Sequence, residues 1–235
     1  MKKLILIFIA LSFFSVCFAG SIQDMHKAAI ARKNAAPTTV FDENFDNCDT
    51  GTGMGNCNET WSTNANFTVT AAEGPDASQA LIYAGAIPDL ASAGHTLGAV
   101  DATITFDFKI DSGNEGDDLV FITKDAGGDD GIQVYLEYEA AGVKVRTYGH
   151  TEGFVEICAS EDIAEWYTVT IDNIDWSGRT YDIDVSIKDG ASQGTPCVDC
   201  EMVENDSDDI DAIILNGSTA NVMDLRLDNI LITVP

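Results

Sequence analysis

Three sets of side chains in this sequence have the types and spacing to do chemistry. The first is an array of rings and hydrogen-bonding groups. Ile132 to Glu139 and Val143 to Tyr148 both alternate in polarity across Ala140-Ala141-Gly142, the pattern of a β-hairpin. With Tyr138 facing Val143, the inner side pairs Leu136 with Val145 and Val134 with Thr147. The outer side pairs Glu137 with Lys144, Tyr135 with Arg146 and Gln133 with Tyr148. Gln133, Tyr135, Arg146 and Tyr148 then share one face, a combination that suits the apolar flanks and hydroxyls of a sugar. Ordinary cross-strand pairing explains the same residues. Trp176, placed at a turn, is a further ring expected to be exposed.

The second set is carboxylates. Glu137 and Glu139 fall on one face, but Glu139 abuts the turn, so the pair fits a solvated hairpin end. Acidic loops start at Asp111, Asp125 and Glu204, but Gly113, Gly127 and Ser207 stand where an EF-hand places its second side-chain ligand. They read as solvated turns. The third set is thiols. Cys48 and Cys57 bracket a glycine-bearing loop that closes easily, so they are expected to form a disulfide. Cys197-Val-Asp-Cys200 either closes on itself or gives one member to Cys158. A redox motif lacks its βαβ context here, and a zinc site lacks two ligands, since His26, His95 and His150 are scattered.

The elements that hold these groups are short alternating strands. The clearest pair is Trp166 to Asp172 and Tyr181 to Lys188, joined by a turn at Ser177-Gly178. Tyr181, Ile183, Val185 and Ile187 form one face; Asp182, Asp184, Ser186 and Lys188 form the other. Trp166 and the Tyr181 row are expected to be buried, Asp182 and Asp184 exposed. Ala102 to Ile110 alternates as clearly, with Ile104, Phe106, Phe108 and Ile110 inward, and the apolar run Leu119 to Thr123 suits burial on both faces. Weaker strands are read at 41–45, 67–70, 80–84, 96–98 and 154–158, and closing strands at 210–215 and 225–234. With helix signals nearly absent, the expected fold is all-β: an antiparallel two-sheet β-sandwich of the jelly-roll kind.

Lys2 and Lys3, the apolar run Leu4 to Phe18 and the small Ala19 have the layout of a cleaved export signal. Residues 1–19 are read as that signal, 20–39 as an arm with a short helix, and 40–235 as a single domain. Cys17 suggests a lipoprotein, but Val16 is bulkier than lipid attachment favours. No second apolar stretch is long enough to span a membrane. The expected location is secreted, periplasmic or cell-surface. The net charge of −27, or −29 once Lys2 and Lys3 leave with the signal, disfavours nucleic acid as a partner.

Three stretches together resemble the laminin-G-like jelly rolls of the concanavalin A-like lectin and glucanase superfamily. They are Phe41-Asp42-Glu43-Asn44-Phe45-Asp46 with Trp61, then Trp166 to Gly190, then Leu225 to Thr233 around Asp228. The resemblance frames nearly all of 41–233. It implies a structural Ca²⁺ between first and last strands, with Asp228 as a ligand and Asp42 or Glu43 as weaker candidates beside it. On residues alone, Arg226 is the alternative partner for Asp228. The resemblance also implies that catalysis would need a Glu-x-Asp-x-(x)-Glu strand; the Asp between Glu137 and Glu139 is missing. The expected function is an exported non-enzymatic module binding a polysaccharide or cell-surface glycan. The alternatives are a self-assembling structural or adhesive protein and, third, a glycoside hydrolase.

Overall fold

The computed structural model describes residues 37–235 apart from 53, 63–65, 85–89, 92–101, 141, 205 and 218–222. The expected signal, most of the arm and the weak strand at 96–98 lie outside the described residues. Thr39–Val234 forms one compact unit.

Its strands make two antiparallel sheets. The larger runs β12 (Ser192–Glu201), β11 (Thr180–Ile187), β10 (Tyr167–Asp175), β5 (Thr103–Ser112), β14 (Asp224–Val234), β3 (Ala80–Ala84), β2 (Phe67–Thr70), with β1 (Thr38–Glu43) also pairing with β14. The smaller runs β4 (Leu90–Ala91), β13 (Ala212–Gly217), β6 (Asp117–Lys124), β7 (Asp130–Glu139), β8 (Gly142–Gly149), β9 (Gly153–Glu161). Neighbours such as β5 with β14 and β6 with β13 are far apart in sequence, so the chain crosses repeatedly between layers.

Alternation puts one row of each strand into a shared core. Phe106 of β5 stacks on Phe121 of β6 at 4.5 Å between ring centroids, joining the two sheets. Burying rings of this size contributes roughly 2–3 kcal/mol each. A buried polar contact also crosses the seam. The Tyr181 hydroxyl donates to Thr147 Oγ1, which itself donates to the Gln133 carbonyl at 2.9 Å. Burial pushes the Tyr181 phenol well above its ordinary range. A buried hydroxyl without such a partner would cost about 1–3 kcal/mol.

Tyr181, Ile183 and Val185 are buried, but Trp166 is half-buried and Ile187 is exposed. The cause is register. Tyr167, not Trp166, pairs with Phe108 and stacks on it at 5.5 Å, so parity turns Trp166 away from the core. Ile187 is the last residue of its strand. Asp182 and Asp184 are half-buried rather than exposed, because β12 lies beside them. Asp182 accepts from the Asp199 N–H at 2.8 Å, and Asp184 from the Ser192 hydroxyl at 2.6 Å.

That strand, β12, is absent from the sequence reading. Its Ser, Gln, Gly, Thr and Pro hide no apolar row, which an edge strand does not need. Cys197 and Cys200 within it are joined to each other, and Cys158 of β9 is buried and belongs to neither disulfide. Gly194 lies against the backbone of Ile157 and Cys158 at φ +67, where a Cβ would sit 2.1 Å from the Ile157 carbonyl. Only glycine lets the edge of one sheet close onto the edge of the other.

Placing a charge at Ile183 should break this core. Ile183→Asp is expected to lose several kcal/mol in urea unfolding, since the carboxylate would be buried unpaired. Asp182→Ile should lose far less, only the contacts with Asn173 and Asp199. The reverse ranking would invert the assigned faces.

Candidate functional site

The hairpin of β7 and β8 has the register read from its alternation: Tyr138 opposite Val143, Glu137 opposite Lys144, Tyr135 opposite Arg146. Burial of Val134, Leu136, Val143 and Val145 turns Gln133, Tyr135, Arg146 and Tyr148 to the outer face. The structure brings all four together and adds a fifth residue. Phe154, the second residue of β9, lies opposite Tyr148 and is 49% exposed. Tyr135 and Tyr148 meet it edge-on at 5.0 and 5.1 Å, and the Arg146 guanidinium lies 4.0 Å over its ring. The cation–π partner of Arg146 is thus Phe154. Extending the register through the turn from Gly149 to Gly153 would have found it.

Polar links order this face. Tyr135 Oη donates to Gln133 Oε1 at 2.9 Å, and Gln133 Nε2 donates to Asp130 Oδ2 at 2.7 Å. Arg146 pairs with Glu137, and Lys144 with Glu139 at 2.6 Å. The ion pairs are therefore diagonal rather than directly across. Desolvation, with Asp118 nearby, raises the Tyr135 phenol above its ordinary range. Trp176 does not stand free. It is half-buried and packs against the core beside Gly131, so it closes an end of the sandwich.

Among the described residues, Asp42, Glu43 and Asp228 do not form a metal-binding trio. Asp42 and Glu43 are successive in β1 and point to opposite sides; Asp42 is exposed and Glu43 fully buried. Glu43 spends its carboxylate on the Phe45 N–H (2.8 Å), the Glu59 N–H (3.0 Å) and the Trp61 indole N–H (3.1 Å). Burial raises its pKa while these donors lower it. Among the described residues, the one trio of metal-binding type is Glu43, Cys48 and Cys57, and those cysteines are joined to each other. The set does not fit the roughly six to eight oxygens that calcium requires.

Arg226 is not the partner of Asp228 either, but binds Glu73 at 2.8 Å and also Asp111. Past Asp228 the strand bulges, with Asn229 at φ +52. The bulge switches the inward row from Leu225 and Leu227 to Ile230 and Ile232. Both bulge residues then serve the outer side of the large sheet. Asn229 Nδ2 donates to Asp107 at 2.8 Å, and Asp228 accepts from the Ser78 hydroxyl at 2.9 Å. Asp107 also takes Lys188 and Thr168, beside a cleft of about 420 Å³.

No protein-family model matches the sequence, and no curated protein matches it. Solved structures do share the fold. An alginate lyase from Aplysia kurodai is 12% identical, aligned over 84% of this chain and 100% of its own, with a TM-score of 0.57. The catalytic domain of a glycoside hydrolase family 131 protein from Coprinopsis cinerea is 12% identical over 83% and 93%, at 0.53. Peanut lectin is 11% identical over 86% and 98%, at 0.53. The chain shares the antiparallel two-sheet sandwich fold of these structures. No helix among the described residues is long and apolar enough to cross a membrane.

Two outcomes follow from the buried carboxylates and the loop. Desolvation raises Asp228 to about 7, with Asp46 and the Lys188-paired Asp107 adding to it. A pKa raised on folding stabilises below the unfolded value near 4, and that stability is lost as pH rises through 7. Asp228→Asn should therefore melt above wild type at pH 8, with the gap shrinking towards pH 4, as calorimetry would show. Replacing Cys48 and Cys57 by Ser should cost about 2–3 kcal/mol in denaturant unfolding. Equal stability of wild type and this double variant would mean the loop closes without its bridge.

Proposed function

We propose that this chain is an exported module that binds glycans on the outer face of β7, β8 and β9. The carrying observation is the aromatic group of Tyr135, Tyr148 and half-exposed Phe154, flanked by Gln133 and Arg146. Sugar C–H faces pack on such rings, while side-chain amides and phenols bond the hydroxyls. The fold shared with peanut lectin supports the reading, as do the two carbohydrate-active enzymes above. Export rests on Lys2, Lys3 and the apolar run that follows. Within the concanavalin A-like superfamily, we assign the chain to the laminin-G-like branch on its three framing motifs. A glycan array is the test. Wild type should bind at least one glycan class, and Phe154→Ala and Tyr135→Ala should each weaken it about tenfold, or ~1.4 kcal/mol. Unchanged binding in both variants would remove this face from the account.

A further inference from the structure

We infer that the outer face of β7, β8 and β9 selects uncharged polysaccharides and rejects polyuronates and sulfated chains. The inference rests on the glycan-binding reading of that face. A uronate or sulfate is held by a cation free to receive it, ideally an arginine fork. The two cations of β8 are both committed. Glu137, itself buried, pairs with Arg146, and the guanidinium lies over the Phe154 ring. Lys144 is held by Glu139 at 2.6 Å, with Glu156 at 3.8 Å.

Where the face could gain positive potential, it gains negative potential instead. Asp118 faces Glu137 across β6 and β7, and Glu156 faces Arg146 across β8 and β9. Lys124, towards the start of β7, pairs with Asp130. A polyanion approaching meets paired cations on a chain of net charge −27. What remains available is neutral: the Phe154 ring, the two tyrosines, and the second N–H and lone pair that the Gln133 amide keeps beyond Asp130 and Tyr135. These match the C–H flanks and hydroxyls of an uncharged hexose chain.

The experiment is affinity electrophoresis of the full chain in gels containing a neutral β-glucan, a galactomannan, alginate or heparin, at low and at 0.5 M salt. Wild type should be retarded by a neutral polymer at both salt levels and by neither polyanion. Glu137→Gln frees Arg146 and should gain retardation by alginate at low salt that vanishes at high salt. Glu139→Gln, at the more exposed hairpin end, frees Lys144 and carries the same test should the buried Glu137 variant fail to fold. Wild type retarded more by alginate or heparin than by either neutral polymer overturns the selectivity and leaves glycan binding standing. Folded variants that gain nothing on alginate overturn the charge-masking account. Retardation by no polymer overturns both.

Discussion

The structure depends on a seam that admits one row of side chains from each strand and no other. Phe106 against Phe121 fills it, and Tyr181 reaching Thr147 bridges it. Because successive side chains point to opposite faces, filling the seam also dictates the surface. With Val134 and Leu136 inward, Gln133 and Tyr135 have only the outer face. A slip of one residue in β7 would turn Tyr135 and Glu137 into the core and put Val134 and Leu136 on the outer face. Thr147 adds a second lock, since its hydroxyl holds the Gln133 carbonyl from below. The position of the site is thus a by-product of the core.

Where burial writes an alternation, the sequence was legible. The hairpin register from Tyr138–Val143 to Tyr135–Arg146 can be read from polarity alone, and so can the inward row of β5. Where no row is buried, it was not. β12 shows no alternation because it is an edge strand, held partly through Asp182 and Asp184. The bulge at Asp228 and Asn229 was equally silent, since Leu-Asp-Asn-Ile fits an unbroken strand. Simple parity therefore put Asp228 in one row with Ile230 and Ile232, which the bulge turns to the other face. At the site, four of five residues were found within one hairpin. Phe154 was missed because it belongs to the next strand, and proximity across strands needs a register, not a composition.

The carboxylates show how one residue type serves different ends. Glu43 is consumed by three N–H donors and fastens β1 to the segment carrying Glu59 and Trp61. Asp107 gathers Thr168, Lys188 and Asn229 from three strands or strand ends on the outside of the large sheet. Glu137 and Glu139 hold the hairpin's cations in place. In a chain with 39 acidic and 12 basic residues, cations are the scarce species, and those on the hairpin face are spent within the fold.

The place of β14 in the large sheet carries a kinetic consequence. Asp224–Val234 pairs with β5 on one side and β3 on the other, across about 120 residues of intervening chain in the first case. A nascent chain lacking this strand would hold β5 and β3 with bare hydrogen-bonding edges and no middle. Such edges are templates for pairing with other molecules. The large sheet therefore cannot mature stepwise behind the ribosome. It waits for its last strand, and until then the chain is at its most prone to aggregate.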